Sequence, residues 1–128
     1  MRRHAVVRQA VPGRKLQDVE FRREEAERAV IEAAKTAGEQ VWHLPLPEEY
    51  ADHLKSEVAD FRNIGKPMQA GTLIGGLYLQ KFVGEIPWVH LDIAGPAFTE
   101  EGDGWYTPKG GTGMGVRTLL SLLTARSG

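Results

Sequence analysis

Pro87-Trp88-Val89-His90-Leu91-Asp92-Ile93-Ala94-Gly95-Pro96-Ala97-Phe98 is the stretch on which the fold turns. Val89, Leu91 and Ile93 alternate with Trp88, His90 and Asp92, the period-two pattern of a strand with bulky groups on both faces. Pro87 marks its start, because proline opens strands and rarely sits inside them. Ala94-Gly95-Pro96-Ala97 then stops it with small residues and a proline that donates nothing to a ladder. A buried strand ending in small residues leaves room beside its C-terminal end, where open α/β sheets bind their ligands.

Outward from this strand the chain reads as alternating helix and sheet, the pattern of an α/β fold. From Met68 to Val83, Ala70, Leu73, Ile74, Leu77, Tyr78 and Phe82 make a broad apolar helical face. Gly71, Gly75 and Gly76 within it each cost about 1 kcal/mol relative to alanine, which predicts close contact with a sheet. Gly84 ends that helix. Further upstream, Ala26, Ala29, Val30, Ala33, Ala34 and Ala37 form a narrow stripe that predicts a helix from Asp18 to Gly38, its charged residues forming a solvated face. Between the two, Val41 to Pro47 is too proline-rich for helix, and Pro47-Glu48-Glu49 starts a short one with proline at its first position. Val58 to Ile64 reads as a brief strand or an extended link. After the central strand, Lys109-Gly110-Gly111-Thr112-Gly113-Met114-Gly115 leads into a last helix with Val116, Leu119, Leu120 and Leu123 as its apolar stripe.

Residues 1–17 differ from the rest. Five basic residues precede any acidic one, Val6 and Val7 are the segment's only adjacent β-branched pair, and Pro12-Gly13 interrupts it. The segment reads as an unpacked terminus, the alternative being a basic arm for an acidic partner. With 128 residues the chain suits one domain, and 16 basic against 17 acidic side chains give no global attraction to nucleic acid or membrane. There are no cysteines, which excludes disulfides, thiolate metal sites and cysteine nucleophiles. No apolar run approaches the roughly 20 residues of a membrane span, and no signal peptide is read at the N-terminus, so the cytoplasm is the expected compartment.

The residues that bear chemistry form no complete catalytic set. His90 and Asp92 point the same way from a strand and would make two metal ligands, yet no further donors are spaced around them. A structural histidine and a carboxylate accepting backbone hydrogen bonds is the better reading. The glycine run invites a phosphate-loop interpretation, but no Gly-Lys-Ser/Thr follows it, and a tight entry into a closely packed helix fits better. Trp42, Trp88 and Trp105 are widely spaced and read as core. No serine or threonine occupies a nucleophile elbow.

Trp88 to Ala97 resembles the signature near the C-terminus of the leucyl aminopeptidase (cytosol aminopeptidase) family. Trp42-His43-Leu44-Pro45-Leu46-Pro47 is similar to the family's Trp-x-x-Pro-Leu segment, and Ser56 to Gly65 to its Ala-Asp-x-x-Asn region. Tyr106 to Gly113 and Val116 to Leu119 resemble its closing loop and helix. The resemblance runs in order from about Asp18 to Arg126 and leaves residues 1–17 unmatched. It implies part of a three-layer α/β/α domain from a hydrolase that releases N-terminal residues from peptides, using two zinc or manganese ions. The family's Asn-Thr-Asp-Ala-Glu-Gly-Arg motif and its upstream lysine and aspartate ligands are absent, so residues 18–128 resemble only the C-terminal portion of the catalytic domain. The resemblance therefore implies no catalytic residue and no metal ligand here. What it does imply is a substrate-pocket wall at Ile64, Ala94 and Ala97, whose role is shape. It also implies a homo-oligomer; separately, the strand edges and apolar helix faces that part of a three-layer domain leaves uncovered point to the alternative of a non-catalytic module pairing with a complementary aminopeptidase chain. The expectation is a fragment inactive by itself, with a non-functional gene remnant as a further alternative.

Overall fold

The computed structural model describes residues 5–8, 17–64, 70–84, 86–102 and 107–126, the side chains of residues 5–8 and 17–23 excepted. In chain order these are β1 (Ala5–Arg8), α1 (Gln17–Ala37), β2 (Val41–His43), a 3-10 helix (Glu48–Leu54), α2 (Gly71–Val83), β3 (His90–Asp92), β4 (Phe98–Thr99), β5 (Gly110–Gly111) and α3 (Val116–Arg126). The fold is mixed α/β. Its main sheet has the order β2-β1-β3, with β1 parallel to β2 and antiparallel to β3. Val6 faces Trp42 on one side and Asp92 on the other. A parallel pair needs a long crossover, and α1 supplies it.

This arrangement corrects the reading of residues 1–17 for the four that are described. Ala5–Arg8 are the central strand of the sheet, while residues 9–16 lie outside the described residues. The Val6-Val7 pair was the only local sign of it. The expected strand from Pro87 to Ile93 is also shorter, its ladder confined to His90–Asp92.

The alanine stripe of α1 packs as its spacing dictates: Val30, Ala33 and Ala34 are buried, and α1 lies against α3 and the strands β1 and β2. The helix ends at Gly38, whose φ of 70° suits glycine. There Gly38 N–H donates to the Lys35 carbonyl and Glu39 N–H to that of Ala34, the paired bonds of a Schellman cap. Not every charge on α1 is solvated. Glu27 is buried and pairs with His43 Nδ1 of β2, tying helix to sheet.

A second core gathers Leu46, Leu54, Ile74 and Leu77, with Tyr50, Leu73 and Tyr78 packed around it. It joins α2 to the 3-10 helix, which starts one residue later than expected because Pro47 holds an extended cap conformation. α2 begins at Gly71 because Ala70 takes a left-handed conformation with φ 43°. Of its three glycines only Gly76 makes the close approach expected: a Cβ there would meet Leu46 Cδ1 at 3.3 Å and His90 Cδ2 at 3.5 Å. Gly71 and Gly75 face open space.

Among the described residues Trp42 departs from the expected core, and two further apolar stretches differ in detail from their readings. Trp42 is 68% exposed, Trp88 is half-buried, and Trp105 lies outside the described residues. Val58 to Ile64 form bends with no ladder, organised by Ser56 Oγ accepting the N–H groups of Val58 and Ala59. On α3 the apolar stripe of Val116, Leu119, Leu120 and Leu123 is 49–65% exposed, and the buried residue is Thr118. The apolar period is the one expected, and the face it makes is exposed.

Candidate functional site

β3 runs into the turn Ala94-Gly95-Pro96-Ala97, which hydrogen bonds fasten at Ala94, Pro96 and Ala97. Asp92 Oδ1 accepts the Ala94 N–H at 3.0 Å, so this carboxylate does receive a backbone hydrogen bond. Ala97 N–H donates back to the Ile93 carbonyl at 2.9 Å and closes the turn. Pro96 is buried, Ala97 half-buried and Ala94 exposed. Ala94 and Ala97, expected in one pocket wall, are thus brought together as the first and last residues of a single turn. Ile64 lies on a different segment, the one that follows the 3-10 helix, and is 76% exposed.

The glycine run clamps this turn from the other side. Phe98 pairs with Gly111 and Thr99 with Gly110 in the antiparallel β4–β5 ribbon. Thr112 then reaches the turn twice: its N–H donates to the Ala97 carbonyl at 2.9 Å and its hydroxyl to the Pro96 carbonyl at 2.6 Å. The same hydroxyl oxygen accepts the Met114 N–H at 3.2 Å. Gly113 and Gly115, with φ of 69° and 90°, swing the chain into α3 through a conformation that side chains rarely adopt.

At the start of α3 stands a carboxylate from elsewhere in the chain. Glu39, just beyond the end of α1, is only 6% exposed. Its Oε1 accepts the Gly115 N–H at 3.2 Å, and its Oε2 accepts the Thr118 N–H at 2.9 Å and the Thr118 hydroxyl at 2.6 Å. Arg117 Nε lies 3.5 Å from Oε1. Two of the amides at the start of α3 are therefore occupied by the protein's own anion, which favours the glycine run as a helix entry.

Burial of Glu39 favours its neutral form, but the hydrogen bonds from Thr118 and Gly115 and the Arg117 charge outweigh this and hold the carboxyl below its ordinary range. A depressed folded-state value stabilises the fold above the unfolded-state pKa, and the stabilisation is lost as pH falls through the folded-state value. The stability difference between the wild type and Glu39→Gln is accordingly expected to be full at pH 7 and to shrink below pH about 4. Urea unfolding of both proteins across that range measures it. A difference independent of pH would show that the ionised form is not what matters.

His90 and Asp92 share β3 as expected. His90 stacks on Trp88, with ring centroids 5.9 Å apart at 24°. Burial pushes His90 down, with Asp92 acting in the opposite sense, so the ring is neutral at pH 7. These two donors do not fit a two-ion centre. Asp92 Oδ1 already serves the turn, and among the described residues no three histidine, cysteine, aspartate or glutamate side chains converge to hold a metal ion. Glu39, Thr112 and Thr118 were missed by the sequence reading. Thr118, a polar residue beside the leucines of an apolar helix, was the available signal, whereas Glu39 carries none that spacing reveals.

The profile of the cytosol aminopeptidase family, catalytic domain, matches residues 9–120. A probable cytosol aminopeptidase of Streptomyces avermitilis is 55% identical over 95 residues, which are 73% of this chain and 18% of that protein. One from Gloeobacter violaceus is 48% identical over 103 residues, 80% of this chain and 20% of that protein. Among solved structures, the bottromycin maturation enzyme BotP in complex with Mn superposes with a TM-score of 0.80 at 35% identity, covering 98% of this chain and 25% of that one. A tomato leucine aminopeptidase mutant gives 0.75 at 33% identity, covering 96% of this chain and 21% of that one. The chain spans about a fifth of the length of the curated relatives it matches. Over the residues it has, this chain belongs to the cytosol aminopeptidase family and corresponds to part of its catalytic domain.

Proposed function

We propose that this chain acts as the C-terminal portion of an aminopeptidase catalytic domain, shaping the pocket for the substrate's N-terminal side chain. The observation that carries this reading is the turn Ala94–Ala97, small in its side chains and fastened by Asp92 and Thr112. Ala94 and Ala97, with Ile64, form the wall, and small rigid residues there leave space for a peptide's first side chain. The substrates are peptides, and the family's name supports this. The solved relative BotP is a complex with Mn, and on this reading the ligands for divalent ions come from parts of the family's domain that this chain does not match. The cytoplasm is the compartment we assign, in line with the relatives' names and with the lack of cysteine. Among the described residues no helix is long and apolar enough to cross a membrane.

A second reading is favoured by the exposed leucines of α3: the chain pairs with a complementary aminopeptidase chain, or with copies of itself, that covers this face. Both readings predict that the 128-residue polypeptide alone does not hydrolyse leucine-p-nitroanilide with added manganese or zinc, beside a metal-stripped control. Metal-dependent turnover that follows the protein through purification would overturn that prediction.

A further inference from the structure

We infer that Glu39 is a positioning residue for the turn Ala94–Ala97, acting through α3's entry and Thr112. The inference rests on the reading of that turn as a pocket wall. Two clusters of hydrogen bonds lie at either end of the short backbone from Thr112 to Gly115. At one end Thr112 grips the carbonyls of Pro96 and Ala97. At the other the Glu39 carboxylate grips Gly115 and Thr118.

Between them the chain passes through Gly113 and Gly115, both at positive φ. Glycine has wide conformational freedom, so this linker does not hold Thr112 at a fixed place by its own stiffness. It is held because both ends are held. The Met114 N–H on the Thr112 hydroxyl adds one further bond inside this linker, at its Thr112 end. Glu39 is itself fixed by the cap of α1, where its N–H donates to the Ala34 carbonyl at 2.9 Å. Helix α1 therefore sets where the turn stands, through one buried side chain.

Glutamine at position 39 keeps the size of the side chain but turns one of its two acceptor oxygens into an NH2 donor, which must face the donors of either Gly115 or Thr118. Amide hydrogen exchange of the 128-residue chain, followed by NMR, tests the coupling. In Glu39→Gln, exchange at Ala97 and Thr112 is expected to rise about tenfold or more, while Ile74 of α2 and Arg62 of the distant bend change less than about twofold. A parallel rise at all four amides would mean general loosening and would overturn the inference, as would no change at Ala97 and Thr112. Thr112→Val breaks the chain of contacts at its other end. It is expected to speed exchange at Ala97 while Gly115 and Thr118, still held by Glu39, stay protected. Loss of protection at Gly115 and Thr118 as well would also refute the order of coupling. Exchange is read without substrate, so failure here is separable from failure of the pocket-wall reading, which a peptide's turnover by the completed enzyme decides.

Discussion

Replacing Glu39 with alanine is expected to lower the unfolding free energy by about 2–4 kcal/mol. The side chain is almost fully buried and accepts three hydrogen bonds, two from amides at the start of α3 and one from the Thr118 hydroxyl. Alanine leaves these donors buried without an acceptor. A lost helix cap costs about 0.5–2 kcal/mol, and a hydrogen bond to a charged group contributes about 1.5–3 kcal/mol, but the terms overlap because all three end on one carboxylate. Denaturant unfolding at pH 7 measures the total. Lys55→Ala, which removes the surface pair with Asp52, supplies the contrast: both partners are mostly exposed and no shift of the midpoint is expected. Equal behaviour of the two variants would mean that Glu39 contributes no more than a surface charge.

Leu54→Ala is expected to cost about 2–5 kcal/mol, because Leu54 is 1% exposed and, among the described residues, clusters with Leu46, Ile74 and Leu77 as buried apolar companions. Domains of this size are stable by roughly 5–15 kcal/mol, so one cavity there removes a large share. The same substitution at Leu120, 65% exposed on α3, is expected to stay within about 0.5 kcal/mol in the isolated chain. The pair compares one chemical change in two settings. If Leu120→Ala proves as costly as Leu54→Ala, α3 is already covered, and a self-associated state is the natural reason.

Where a single stretch carried its own signal, the sequence was readable. The alanine stripe and Gly38 located α1 and its end, because helix periodicity and a left-handed terminator are both local. Gly84 and the small turn after Asp92 were readable for the same reason. The central strand was not, since Ala5–Arg8 becomes a strand by pairing with residues far along the chain. The α3 stripe was recognised, but an apolar period reports that a face seeks cover and not what covers it. The site divides in the same way. Ala94 and Ala97 lie in one legible turn, whereas Glu39 meets Thr118 only because α1 and α3 pack together.

The order of strands in the sheet also bears on how the chain folds. β1 is the earliest strand in sequence yet lies in the middle, with most of the chain separating it from β3. During synthesis at ordinary rates it waits on the order of 4–16 s for that neighbour to be made. Until then, one of its edges presents unpaired N–H and C=O groups to any other extended chain. Closing so long a loop also places the β1–β3 pairing among the slow, non-local steps. The α1 crossover can form early and seat β1 against β2, so the vulnerable interval is that of a half-built sheet waiting for His90–Asp92.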